Sequence, residues 1–149
     1  RQYLGCVGKI DNGIVTVHVG VAKGTFQALL DADLYLPASW AGDRGRCREA
    51  GIPDDVGYRS KWRIALDQLM RLDANGVRFD WLTFDEGYGS TGPFLWVLGL
   101  VNQKFVAEVP CNFSVRATRD GPPRRADAHQ PGARTGRWRR FRIGRSIRW

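Results

Sequence analysis

The chain has 149 residues and a formal charge of +8, with 43% hydrophobic and 26% charged residues. That length fits one domain able to bury a core without a disulfide or metal staple, and the composition is near a soluble globular average. No run of about 18 apolar residues exists, which excludes a helical membrane span, and no secretory leader is expected.

In chain order, Tyr3–Ile10 reads as a strand leading to the tight turn Asp11-Asn12-Gly13. Ile14–Val21 then alternates, with Val15, Val17, Val19 and Val21 on one face, which predicts a half-buried strand. A turn at Ala22-Lys23-Gly24 leads into the extended stretch Thr25–Leu36. These three segments are expected to form an antiparallel meander. Pro37–Val56 is loop-rich and holds a short charged helix, about Gly42 to Ala50, stopped by Gly51 and Pro53. Ser60 is placed to cap a helix over Lys61–Asn75. Its apolar stripe is Trp62, Ala65, Leu66, Leu69 and Met70, and Asn75-Gly76 ends it with a left-handed cap. Val77–Phe84 reads as a strong strand. A helix capped by Thr91 or Gly92, with Pro93 in its first turn, runs to about Asn102. Lys104–Val109 is the next strand, ended by Pro110. Strand, helix and strand form a crossover unit with two parallel strands. The fold class is therefore mixed α/β, a meander followed by a βαβ unit.

Cys6, Cys47 and Cys111 are far apart, odd in number, and include no CxxC pair. This argues against a zinc knuckle, a disulfide framework or a thioredoxin-type centre, and a reducing intracellular setting is expected. The first residue is Arg1 and the one methionine is Met70. The sequence is expected to be a piece of a longer product, a trimmed stretch, or a reading frame whose start was missed.

The charge is uneven. Residues 1–113 have a net charge of −1, whereas 114–149 carry 11 Arg against Asp120 and Asp127, a net of +9. From Thr118 the composition shifts to Arg, Gly, Pro and Ala, which cannot bury enough apolar surface to offset the entropy of ordering. Two domains of sequence follow: 1–113, globular, and 114–149, a basic tail expected to be disordered. In one reading the tail is an arm that tracks nucleic-acid phosphates through Arg137, Arg139, Arg140 and Arg142, with Trp138, Phe141 and Trp149 stacking on bases. In the other, which is preferred, it is the product of a shifted reading frame in GC-rich DNA.

The chemistry candidate is Asp85, at the carboxyl end of the Val77–Phe84 strand. Ligands gather at such strand ends in open α/β sheets. A carboxylate in that crevice calls for a compensating cation, and a divalent metal is one. An Asp that simply caps the turn explains the position about as well. Gly87-Tyr88-Gly89-Ser90-Thr91-Gly92 also fits GxGxxG, the spacing of a dinucleotide fingerprint. Asp85 and Glu86 set two negative charges where a pyrophosphate would sit, so this third reading, a dinucleotide domain using Gly87–Gly92, is ranked last. His18 reads as a packed or surface histidine. Asp31 and Asp33 share a strand face and read as a solvated edge.

Residues 1 to about 113 resemble the middle of the catalytic domain of bacterial insertion-sequence transposases of the DDE type, with an RNase H-like core. The resemblance is carried by Arg1-Gln2-Tyr3-Leu4-Gly5-Cys6-Val7-Gly8-Lys9-Ile10-Asp11-Asn12, by Leu34-Tyr35-Leu36-Pro37 with Trp40, by Gly51-Ile52-Pro53 and Lys61-Trp62. Thr83-Phe84-Asp85-Glu86-Gly87-Tyr88-Gly89 and Val109-Pro110 complete it. It implies an incomplete RNase H-like fold whose enzymes hold two Mg²⁺ (or Mn²⁺) ions with three carboxylates. Asp85 falls on the second of these. Glu86, on the opposite side of an extended backbone, is given no metal role.

The family's first Asp belongs just upstream of the Arg-Gln-Tyr block, and its third carboxylate on a helix well past Pro110. In this sequence Glu108 is the last glutamate, and a frameshift or deletion near Val115–Asp120 would account for the change. The chain alone is expected not to cut or join DNA. The resemblance further implies DNA partners (insertion-sequence ends and target DNA), self-association of the intact enzymes on DNA, and a bacterial cytoplasmic, nucleoid-associated location.

Overall fold

The structure is a computed structural model that describes residues 2–4, 8–11, 13–116 and 120–129. The chain divides into two compact units, Arg1–Arg78 and Phe79–Trp149.

In the first unit, β1 (Gln2–Leu4) pairs antiparallel with β2 (Lys9–Asp11), and β3 (Val15–Lys23) pairs antiparallel with β4 (Phe26–Tyr35). These are separate two-stranded sheets, so the expected three-stranded meander is not formed among the described residues. Tyr3–Ile10 is not one strand. The chain turns back inside it, and Gly8 takes φ +65°, a left-handed conformation that suits glycine.

The β3–β4 hairpin closes at Gly24-Thr25, where Gly24 has φ +60°. Its register shifts once: Val19 faces Asp31 but Gly20 faces Leu29, leaving Leu30 as a bulge. A side chain at Gly20 would press on the Ala28 carbonyl oxygen at 3.3 Å.

Two short helices follow, α1 (Ala38–Ala41) and α2 (Arg44–Glu49), where the sequence predicts one. Asp43 separates them and caps α2 by accepting from the Arg46 amide at 3.0 Å. Arg44 fastens the next loop, donating to the carbonyls of Val56 and Pro53 and to Asp54.

The long helix α3 (Lys61–Ala74) matches its predicted span to within a residue. It packs on both strands of the hairpin. Ile64, Ala65, Leu66 and Leu72 are buried, as are Val17, Leu36 and Cys47 of the same unit. Burial of such side chains is worth about 1.5–3 kcal/mol each. Met70, expected in the stripe, is 68% exposed instead, and the buried position two residues before it is Gln68. Gln68 donates its amide to the Val17 carbonyl at 2.8 Å, while its Oε1 has no partner. Gly76, at φ +77°, ends the helix as predicted.

Asp31 and Asp33 are not a solvated edge. Their register partners Val19 and Val17 show that they lie on the hairpin face that α3 covers. Arg71 of α3 bonds both carboxylates, and Arg59 joins Asp33 to Asp67. Burial pushes the Asp33 carboxyl up. The hydrogen bonds and charge of Arg71, with contacts from Gln68 and Arg59, outweigh it and hold the group below the usual carboxylate range.

In the second unit, β5 (Leu82–Phe84) and β6 (Phe105–Ala107) are parallel neighbours. Between them run α4 (Glu86–Gly89) and α5 (Gly92–Leu100), so the predicted crossover unit is present. The strand expected over Val77–Phe84 is much shorter, because pairing with β6 occupies Leu82–Phe84 alone. Phe94, Leu95 and Leu98 of α5 are buried, whereas Trp96 on its other side is 64% exposed. Within the stretch expected to be disordered, β7 (Ser114–Val115) pairs with β8 (Arg124–Arg125), followed by a 3-10 turn at Asp127–His129. Residues 117–119 and 130–149 of that stretch, with Arg137, Arg139, Arg140 and Arg142 among them, lie outside the described residues. Among the described residues no helix is long and apolar enough to cross a membrane.

Candidate functional site

The end of β5 is fixed from beneath by aromatic packing. The Phe84 ring meets Phe94 edge-on at 5.1 Å and Phe105 at 5.5 Å. Such ring pairs add about 0.5–1.5 kcal/mol beyond area burial. The next residue, Asp85, leaves the strand with extended backbone and becomes the cap of α4. Its Oδ1 accepts from the Gly87 amide at 3.0 Å. Its carbonyl accepts from the amides of Tyr88 and Gly89. The Glu108 amide donates to the Phe84 carbonyl at 3.1 Å, continuing the parallel ladder. Asp85 and Glu108 therefore stand at neighbouring strand ends.

Gly89 sets how closely α4 seats there. A Cβ at this position would fall 1.9 Å from the Glu108 carbonyl oxygen, closer than any real contact, so only glycine fits. Tyr88 lies half-buried with its ring 5.7 Å from Phe94. Burial, and then the charge of Asp85, push its phenol above the ordinary value, so it stays a neutral O–H at physiological pH.

Several expectations change here. Asp85 is exposed, not sunk in a crevice, and its carboxylate makes the capping bond that the simpler reading required. Glu86 is the first residue of a helix, so the extended-backbone argument about its direction does not hold. Gly87 and Gly89 lie inside α4 and Gly92 opens α5, so the GxGxxG stretch forms helical turns and not an open glycine loop. No group of three or more His, Cys, Asp or Glu side chains able to hold a metal occurs among the described residues. Asp85 thus offers one hard oxygen ligand and no assembled set. His18 is exposed and lies 2.5 Å from the Thr16 hydroxyl through Nε2. The sequence reading also missed the close approach at Gly89, for which the one available signal was a second glycine two residues after Gly87.

The model of the DDE superfamily endonuclease family matches residues 1–149. A probable transposase for insertion sequence element IS701 from Microchaete diplosiphon is 35% identical over 120 residues, covering 77% of this chain and 28% of that relative. The chain thus spans somewhat more than a quarter of the length of that protein. No solved structure matches the chain. The chain belongs to the DDE superfamily of endonucleases, as a domain of the insertion-sequence transposase type, and the mixed α/β structure agrees with this.

Proposed function

We propose that this domain supplies the second metal-binding carboxylate, Asp85, of an RNase H-like transposase centre that cuts and joins DNA at insertion-sequence ends. The observation carrying the proposal is the position of Asp85, at the carboxyl end of a parallel strand within the Thr83–Gly89 block. When bound in such a centre, Mg²⁺ activates a water or a 3′-hydroxyl and stabilises the leaving oxygen.

The chain's own residues prepare one corner of that centre. Phe84 anchors the strand end, and Gly89 seats α4 against the Glu108 carbonyl. The Gly87 amide holds Oδ1 of Asp85, which fixes the carboxylate's direction. Asp85 lacks two acidic companions among the described residues, so the isolated chain is read as inactive in cutting and joining. The Arg-rich 114–149 stretch supports a second reading, a salt-dependent nucleic-acid-binding arm.

Mn²⁺ added to the ¹⁵N-labelled chain tests the Asp85 assignment. Amides of residues 85–89 are expected to broaden first, and Asp85→Asn to remove that preference. Broadening no stronger there than at the exposed pair Asp54 and Asp55 would reject it.

A further inference from the structure

Most cations of the first unit already have acidic or carbonyl partners. Arg59 joins Asp33 and Asp67, Arg63 lies against Asp67, and Arg71 holds Asp31 and Asp33. Lys61 differs. It makes no ion pair among the described residues, and its Nζ stands 5.2 Å from the centroid of the Tyr35 ring. Tyr35 in turn meets Tyr58 edge-on, with centroids 6.5 Å apart at 67°. Tyr58 is 52% exposed, so about half of its surface faces solvent. The first turn of α3 contains Lys61 and Arg63 and no acidic residue. Arg63 is taken up by Asp67, so Lys61 is the cation of this turn without a carboxylate partner among the described residues.

An aromatic surface next to an ammonium that has no carboxylate partner is complementary to a nucleic-acid strand. A base presents a flat π-face to a tyrosine whatever its sequence, and its phosphate presents a point charge to a lysine. We infer that Tyr35, Tyr58 and Lys61 form a DNA-contact surface, where an unpaired base stacks on Tyr58 and the adjoining phosphate pairs with Lys61. This rests on the DNA partner proposed above, but neither on Asp85 nor on metal.

The test uses the full 149-residue chain in EDTA, with a single-stranded oligonucleotide containing 5-bromodeoxyuridine. After irradiation, the crosslinked peptides are mapped. The crosslink is expected on Tyr58 or Tyr35. Tyr58→Ala should weaken retention about tenfold, and Tyr58→Phe should restore it, because the ring and not the hydroxyl does the stacking. Lys61→Gln should reduce the slope of log K against log salt by roughly 0.7, one single-strand phosphate contact. Both positions are exposed, so matching thermal melts would show that the fold persists. Crosslinks confined to residues 114–149, or a Tyr58 crosslink that survives Lys61→Gln with no change of slope, would overturn the inference. Because EDTA removes divalent ions, this result is independent of the Mn²⁺ experiment at Asp85.

Discussion

The two units solve the same problem, covering a two-stranded sheet with a helix, by different physics. In the second, Phe94 of α5 packs edge-on against Phe84 of β5, and Leu95 and Leu98 are buried with it. In the first, the apolar contact of Ile64, Leu66 and Leu72 is bordered by a seam of charge, Arg71 and Arg59 against Asp31, Asp33 and Asp67. An apolar contact is non-directional and little affected by salt. A charged seam fixes which residues face each other, and it answers to pH and ionic strength.

Three changes probe that contrast. Phe94→Ala has the largest expected effect, about 3–5 kcal/mol lost from the second unit, measured by denaturant unfolding and equal at low and high salt. Gly89→Ala comes next. The added methyl meets backbone that cannot rotate away, for a cost of about 1–3 kcal/mol, and the Gly87 and Gly89 amide shifts should move with the displaced α4. Arg71→Met in the first unit is the smallest, about 1 kcal/mol, since its side chain is 44% exposed and the pairs are partly screened.

The last of these is sharpened by acid. Asp33 has a folded pKa below its unfolded value near 3.9, so its stabilisation is complete above that value and disappears as pH falls through the folded one. Stability of the unmodified chain should therefore decline on acidification below about pH 4. Arg71→Met should flatten that decline, and Phe94→Ala should leave its shape unchanged.

What could be read from the sequence follows from which interactions are local. The α3 helix was legible because its apolar spacing and the Gly76 stop lie within or beside it; Ser60 takes the expected cap position, but its side chain makes no cap bond. The crossover unit was legible because two apolar strands flank a proline-started helix. Val77–Phe84 misled because its apolar residues promise a long strand, while strand length is set by the partner, and β6 offers Phe105–Ala107 alone. Asp31 and Asp33 misled for a related reason. Their partner Arg71 is 38 or more residues away, and nothing in the strand's own pattern announces it. At the candidate site, the place of Asp85 at a strand end was legible, but its exposure was not. The neighbouring glycines let the chain fold into α4 at once and lift the carboxylate onto a helix cap.

The parallel pairing of β5 with β6 also bears on the order in which the molecule assembles. The β3–β4 hairpin can zip from a two-residue bend, a microsecond event. Strand β5 has no such shortcut: residues 85–104 must first collapse into their helical crossover before the ladder can close. Until then the Asp85 corner does not exist: the strand end, the α4 cap and the Gly89 seat against the Glu108 carbonyl form together with the crossover.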